Sequence, residues 1–355
     1  MNFSEAMHFI EEKSSLGIKP GLERIKKLLE KMDNPQDKIN IIHIAGTNGK
    51  GTVASTIAGK LTENGYKTGL FTSPWVVYYT EQIQVDGTFI DEQTLADYID
   101  EYKDEESTEF ELITAIMYKY FADNKVDYAV VECGMGGLGD ATNTEKRNIS
   151  VITSISLDHT NFFGSDIEAI AREKSGILRK DCPCILYPNR GLEYIFRDKC
   201  ARLIEVEEQG SADLNNLATV NAVLRELNLP ETESLVPLPA RREKVNGIIV
   251  DGGHNMEAAI ALEQQLDREV AVIAMLSDKD VEGYLSLIAP HCKVILATEV
   301  DHPRALSALA LADIAEDYCD TVYIVDTPEE ALKRKDITLI CGSFYLARRV
   351  RGLIE

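Results

Sequence analysis

No apolar run in this chain is long enough to span a bilayer, which excludes an enzyme held in the membrane by spanning helices. The opening segment "MNFSEAMHFIEEK" lacks the charged, apolar and small-residue order of a secretory leader, so a cytoplasmic location and no membrane partner are expected. Basic residues are scarce. Lys and Arg number 37 against 59 Asp and Glu, a net charge of −22 over 355 residues, with the acids spread along the chain rather than gathered in a tail. That deficit argues against nucleic acid, which needs a basic face. It also means that any nucleotide must be attracted by metal ions and local cations against an unfavourable overall field. The cysteines are seven, an odd number, and scattered. Only Cys182 and Cys184, in "CPC", stand close together, without zinc-ribbon spacing, so reduced and partly buried thiols are expected. Repeats and low-complexity stretches are absent, and a hydrophobic fraction of 45% fits a globular chain with room for two domains.

Against that background stands "IIHIAGTNGKGTVASTIAGKL", residues 41–61. Ile41 to Ala45 read as a strand. Val53, Ile57 and Leu61, with Ala54 and Ala58 alongside, mark one face of a helix. Between them lies a turn in which Lys50 is flanked by Gly49 and Gly51. Glycines let the backbone turn sharply and bring N–H groups up to a ligand. The start of a helix adds unpaired N–H groups and the positive end of a dipole. The combination suits phosphate. The spacing departs from the commonest phosphate loop: only Thr47 and Asn48 separate Gly46 from Gly49–Lys50, and Gly51 stands between Lys50 and Thr52. An ordinary glycine-rich strand-to-helix turn is the alternative.

Further along, "YKTGLFTSP" reads as a short strand ending at Thr72 and Ser73, "DEQTLADYIDEYKDEE" as an acidic amphipathic helix, and "EFELITAIMYKYFADN" as a helix with Leu112, Ile116 and Tyr120 on one stripe. "DYAVVECG" and "ISVITSISLDH" read as buried strands. Strands alternating with helices predict an α/β fold, here an N-terminal phosphate-loop domain with a mainly parallel sheet and helices on both faces. Ligands gather at the carboxyl ends of such strands, which read Gly46–Lys50, Thr72–Ser73, Glu132 and Asp158–His159. A carboxylate ending an apolar strand, as Glu132 does, must be paired or bind a cation. Residues from about 186 to 238 show weak periodicity and are expected to be irregular apart from a helix in "LATVNAVLREL", with a proline-bearing linker in "NLPETESLVPLPA". From Gly247 a second strand–helix alternation predicts a smaller Rossmann-like domain. The expected domains are 1–238, binding nucleotide, and 239–355.

At this point the motifs carry a resemblance. "GIKPGLERIKKLLEKMDNPQDKINIIHIAGTNGKGT", "VDYAVVECGMGGLGDATN", "VITSISLDHTNFFG", "AREKSGI", "PARREKV", "VDGGHN", "DKD", "HPRA" and "GSFYLARRVR" occur in the order found in the folylpolyglutamate and dihydrofolate synthases, a branch of the Mur ligase superfamily, and the chain resembles that family over nearly its whole length. The resemblance implies an ATP-dependent ligase that joins a carboxylic acid to an amino acid through an acyl phosphate, with a folate or dihydropteroate and L-glutamate as substrates, acting as a monomer. It implies that Gly46, Thr47, Asn48, Gly49, Lys50, Gly51 and Thr52 hold the phosphates. Thr52, Ser73 and Glu132 would share one Mg²⁺, and His159 and Lys174 would ligate a second. Read by itself, Lys174 is a solvated helix lysine; the family implies that CO₂ carboxylates it on Nζ into an anionic oxygen ligand. Arg241, Asp251, His254 and Asn255 would contact nucleotide from the second domain. Asn216 would do so if "GSADLNN" aligns with the family's Gly-x-His-Gln-x-x-Asn, a motif in which Ala212 and Asp213 replace His and Gln.

Departures cluster on the side of the acid substrate. Ser73-Pro74-Trp75-Val76 stands for the family's Ser-Pro-His-Leu, Glu81-Gln82 for Glu-Arg, and Gly136-Gly137-Leu138-Gly139-Asp140 for Gly-Gly-Arg-Leu-Asp. Lost cations weaken binding of a multiply carboxylated substrate. Gly17, Ile18, Lys19 and Pro20, with Trp75 and the Thr108, Phe110 and Glu111 of "TEFE", occupy positions where the family holds the pterin. Two alternatives therefore stand beside the folate ligase: a ligase of the same mechanism for a non-folate acid, and a non-catalytic nucleotide-binding protein on this fold.

Overall fold

The computed structural model describes residues 1–14, 17, 21–144, 148–157 and 166–354. They divide into two compact units, one of residues 1–75, 79–155 and 166–236, the other of 76–78, 156–157 and 237–354.

In the first unit β1 (Asn40–Ala45) lies between β5 (Tyr128–Glu132) and β6 (Ile149–Ile152), parallel to both, with Ile44 opposite Glu132 and Ala45 opposite Ile152. Adding β2 (Thr68–Phe71), β3 (Ile83–Val85), β4 (Thr88–Phe89), β7 (Pro183–Leu186) and β8 (Arg202–Glu205) gives an eight-stranded sheet in the order β4-β3-β2-β5-β1-β6-β7-β8. All pairings are parallel except those of β3, which are antiparallel to β2 and β4. The chain leaves β1 for β2 and β5 on one side and for β6 on the other. Such a reversal parts the loops above β1 and opens a crevice at the carboxyl end of the sheet.

The helix Lys50–Glu63 buries Val53, Ala54, Ile57, Ala58 and Leu61, the predicted face, against Ile42, Ile44 and Val130 of the sheet and against Val220 and Val223 of the helix Ala212–Glu226. The helix Glu109–Asp123 differs from its expected single stripe. Every residue from Glu111 to Tyr118 is buried, while Tyr120 is only partly so. The reason is a layer formed by helices Phe3–Ser14, Glu23–Lys31 and Glu92–Tyr102, which with the sheet encloses it. Burial of Ile113, Ile116, Met117 and Phe121 there contributes roughly 1.5–3 kcal/mol each.

The stretch expected to be irregular also holds more order than its sequence suggests. It contains β8, the short helix Tyr194–Arg197 and the helix Ala212–Glu226, which begins well before Leu217 because the Ser211 side chain caps it by accepting from the Leu214 N–H. β8 is an edge strand whose Arg202 and Glu205 are exposed, so it carries no apolar pattern to read. Likewise β2 ends at Phe71, leaving Thr72 and Ser73 in the following loop.

The second unit is built on β9 (Glu243–Val245), β10 (Ile248–Val250), β11 (Glu269–Ile273), β12 (Cys292–Ala297), β13 (Val322–Ile324) and β14 (Leu339–Cys341), in the order β13-β12-β11-β14-β10-β9. Only β9 runs antiparallel to its neighbour. Its core joins Ala271, Ile273 and Ile295 of the sheet to Tyr284, Leu285 and Leu311 of the helices. Among the described residues no helix is long and apolar enough to cross a membrane.

Candidate active site

β1 runs out at Ala45, and the chain turns through Gly46–Gly49 before the helix begins at Lys50. Two glycines are required here. Gly49 is the N-cap with φ of 82°, a left-handed conformation that other residues adopt at a cost, and a Cβ on it would lie 2.5 Å from Asn216 Oδ1. A Cβ on Gly46 would stand 1.8 Å from Thr153 Oγ1. Gly46→Ala is therefore expected to destabilise the protein by about 2 kcal/mol, read by denaturant unfolding, and Thr153→Ala added to it to recover part of that loss. The turn is anchored on the end of β6: the Thr47 N–H donates to the Ser154 carbonyl at 2.6 Å and the Asn48 N–H to Ser154 Oγ at 3.2 Å.

Lys50 Nζ donates to the carbonyls of Gly46 at 3.2 Å and Thr47 at 3.0 Å. Lys174, at the end of the helix Ile167–Lys174, reaches the same Gly46 carbonyl at 2.8 Å. Its side chain is not solvated: Lys174 is 5% exposed, which overturns the reading its sequence alone invites. Two ammonium groups thus share one carbonyl oxygen at the head of the crevice. On the adjacent strand end Glu132 is 1% exposed, and its Oε2 accepts from the Ser73 N–H at 3.1 Å, so Glu132 and Ser73 stand together. Thr52 lies partly exposed in the first turn of the helix. Behind Glu132, Cys133 Sγ lies 3.1 Å from His43 Nε2, which is itself 2.8 Å from Thr142 Oγ1. Thr142 also bonds the buried Asp140, whose carboxyl is pushed up by burial. Asn216 is buried against Gly49. His159, with Asp158, and Ile18, Lys19 and Pro20 lie outside the described residues. Among the described residues no three His, Cys, Asp or Glu side chains cluster as metal ligands, so the oxygen donors here are Glu132 and hydroxyls.

In the second unit the predicted nucleotide residues gather around the loop after β10. Asp251 is buried; its Oδ1 accepts from the Gly253 N–H at 2.8 Å and its Oδ2 from the Arg242 N–H at 2.9 Å, while burial pushes its carboxyl upward. The Arg241 guanidinium stacks 4.1 Å above the Phe344 ring, and His254 lies edge-on to the same ring at 6.1 Å. The Asn255 side chain caps the helix Met256–Glu263 by accepting from the Ala258 N–H.

Residues 44–223 match the Mur ligase middle domain, and residues 240–344 match the Mur ligase, glutamate ligase domain. A dihydrofolate synthase/folylpolyglutamate synthase of Mycobacterium tuberculosis is 30% identical, the match covering 83% of this chain and 77% of that protein. The chain belongs to this family of ligases. Among solved structures, E. coli FolC in complex with DHPP and ADP superposes with a TM-score of 0.88 at 28% identity, covering 100% of this chain and 98% of that one. A bifunctional folylpolyglutamate synthase/dihydrofolate synthase with Mn, AMPPNP and L-glutamate bound superposes at 0.85 and 26% identity, covering 99% and 98% of the two chains.

Within this ligase frame the expected substrate positions divide. Thr108 and Glu111 form a capping box at the start of the helix Glu109–Asp123, and Glu111, 4% exposed, also pairs with Arg24 at 3.0 Å. Phe110 packs over Gly134, in the loop that follows Glu132. Gly17 is exposed, with φ of 69°. Trp75 leans on the core with its ring 5.9 Å from that of Tyr79. Gln82 is 4% exposed and donates to the Tyr79 carbonyl, whereas Leu138 is 57% exposed on a loop whose Leu138 N–H bonds the Glu173 carbonyl next to Lys174.

A further cluster joins the "DKD" and "HPRA" motifs, to which the sequence attached no role. Arg304 pairs with Asp278, His302 packs 4.3 Å from the Tyr345 ring, and Arg348 lies 5.6 Å from that ring. Asp278 Oδ1 is buried without a hydrogen-bond partner. The signal available in the sequence was two charged motifs, each following a buried strand.

Proposed function

We propose that this ligase uses ATP to activate the carboxylate of a folate or dihydropteroate and joins it to L-glutamate. The observation that best supports this is the meeting of Lys50 and Lys174 at the Gly46 carbonyl, beside the buried Glu132 carboxylate, at the switch point of the sheet. In the first step the acid's oxygen bonds to the γ-phosphorus of ATP as the bond to ADP breaks. In the second the amine of glutamate bonds to the acyl carbon and phosphate leaves. Such chemistry asks the protein to position and neutralise charge. Lys50 follows the β- and γ-phosphates as a mobile point charge, and the loop tied to Ser154 holds their place. The Thr52 and Ser73 hydroxyls and the Glu132 carboxylate are hard oxygen donors of the kind Mg²⁺ takes, so the donor set fits the ion. His159 and a carboxylated Lys174 are assigned to a second ion. Bound metal would supply neutralisation of the transferring phosphoryl group. Asn216, Arg241, Asp251, His254 and Asn255 are assigned to nucleotide. The buried, unpartnered Asp278 Oδ1 suits the ammonium group of the amino acid, since an unmet acceptor costs free energy until a donor arrives.

The test is phosphate release with ATP and Mg²⁺ against a panel of folate-type and other carboxylic acids, each with and without L-glutamate. Release that requires both a folate-type acid and glutamate is the expected result; release unaffected by glutamate would overturn the reading. A second reading, the same mechanism on a less anionic acid, is favoured by the exposed Leu138 where the family carries arginine. If folate turnover is poor for that reason, Leu138→Arg should lower the KM for folate by roughly ten-fold, about one charge-assisted contact. The comparable change Gln82→Arg is not expected to help, because Gln82 is buried and would force a guanidinium into a closed site.

A further inference from the structure

β1 carries one polar side chain in its buried run. His43 is fully buried, on the face it shares with Ile41 and opposite to Ile42 and Ile44, which meet the helix Lys50–Glu63. A buried imidazole must find partners, and His43 finds them in the loop that follows Glu132. Its Nε2 lies 2.8 Å from Thr142 Oγ1 and 3.1 Å from Cys133 Sγ. The Thr142 hydroxyl donates to Asp140 Oδ1 rather than to the Cys133 sulfur 3.6 Å away, since a carboxylate is the stronger acceptor. Toward His43 the Thr142 oxygen is therefore the acceptor, and Nε2 carries the proton. Asp140 closes the loop on itself: its Oδ1 accepts from the Thr142 N–H at 2.9 Å and its Oδ2 from the Met135 N–H at 2.8 Å.

The same loop lies on the end of the helix Ile167–Lys174. A Cβ on Gly137 would stand 2.8 Å from the Lys174 carbonyl oxygen, and one on Gly176 2.5 Å from Leu138 Cα. Asn143 Nδ2 donates to the carbonyls of Leu138 at 3.0 Å and Gly176 at 3.2 Å. Phe110 packs over Gly134 at the start of the loop. Residues 133–143 thus connect Glu132, Phe110, Leu138 and Lys174, and His43 ties them to the strand that leads into the Gly46–Gly49 turn.

We propose that His43 is a positioning residue for the acid substrate: acting through Thr142 and Asp140, it holds residues 133–143 so that Phe110 and Leu138 present one shape to the acid. The proposal rests on the ligase reading above. Nucleotide should be affected far less, because the Gly46–Gly49 turn is anchored on Ser154.

The experiment measures phosphate release by the full chain and its variants, with the acid and ATP varied in turn. His43→Leu and Thr142→Val, each removing one hydrogen-bonding group, should raise the KM for the acid about ten-fold and that for ATP less than about two-fold. The double variant should be no worse than either alone, because both cut the same chain of bonds. His43→Gln, whose amide N–H can replace that of Nε2, should stay within about three-fold of the unmutated chain. A residue that only supports the fold would raise both KM values together and gain nothing from glutamine. Hydrogen exchange needs no turnover: amides of residues 133–143 should exchange at least about ten-fold faster in Thr142→Val, with those of 41–61 unchanged. Acid and ATP KM values that rise together, glutamine no better than leucine, or unchanged exchange over 133–143 would overturn the proposal. If His43→Leu does not fold, Thr142→Val and the exchange rates decide. An unmutated chain that turns over no acid overturns the ligase reading, and exchange over 133–143 then decides by itself whether His43 holds the loop.

Discussion

Lys50→Ala loses ATP-dependent turnover by at least about 100-fold while the protein stays folded; that is the expected result of removing one preorganised charge from a phosphoryl-transfer site. The side chain makes two contacts, both to carbonyls of its own loop, and no apolar packing depends on it. The Gly46 carbonyl keeps Lys174 as a donor when the Lys50 ammonium goes, so unfolding free energy should change by no more than about 0.5 kcal/mol. Phosphate release and denaturant unfolding measured on the same preparation separate the two effects. A variant that kept most of its phosphate release would end the phosphate-loop reading, and with it the proposed ligase mechanism.

Lys174→Ala should lose as much turnover, for a different reason and with a different signature. Lys174 is buried and donates to Gly46, so truncation also costs stability, about 1–2 kcal/mol for the lost donor. Loss of activity alone would therefore not distinguish a metal-bound carbamate from a strut under the loop. Rescue does. If the functional group is a carboxylated lysine, formate or acetate should restore part of the turnover of Lys174→Ala by supplying an oxygen ligand in the vacated space. Lys174→Met, which fills that space, should not respond. The unmutated enzyme stripped of CO₂ should regain activity on addition of bicarbonate. Equal responses of the two variants to formate, with no effect of bicarbonate, would leave Lys174 as a structural donor only.

The strand–loop–helix at residues 41–61 could be read in advance because everything that makes it is local. An apolar run gives way to a helical period across a turn where glycines are unavoidable, and the structure explains two of them by a positive φ at Gly49 and a blocked Cβ at Gly46. Glu132 was legible for a related reason, since a carboxylate at the end of an apolar strand has few ways to be tolerated. The helix face of Val53, Ile57 and Leu61 followed from its period alone. By contrast "TEFE" carried a local signal, the Ser/Thr-x-x-Glu cap, that the resemblance overshadowed; Thr108 and Glu111 are joined in that cap.

Sequence by itself determined the fold class, the strand–turn–helix at residues 41–61 and the family, because each depends on periodicity, on backbone demands of single residues, or on the order of several motifs. Tertiary structure alone decided which charges are buried and which chain segments share a neighbourhood. Lys174 lies 128 residues from the Gly46 carbonyl it meets, and nothing in "REKSGI" distinguishes it from a solvated lysine. β7 and β8 pair although no local pattern announced it, and Asp278 meets Arg304 only because β11 and β12 lie side by side. Burial and charge pairing are properties of the packed layers, set by which helices cover which face of the sheet, and a one-dimensional pattern carries them only where a single element is enough to impose them.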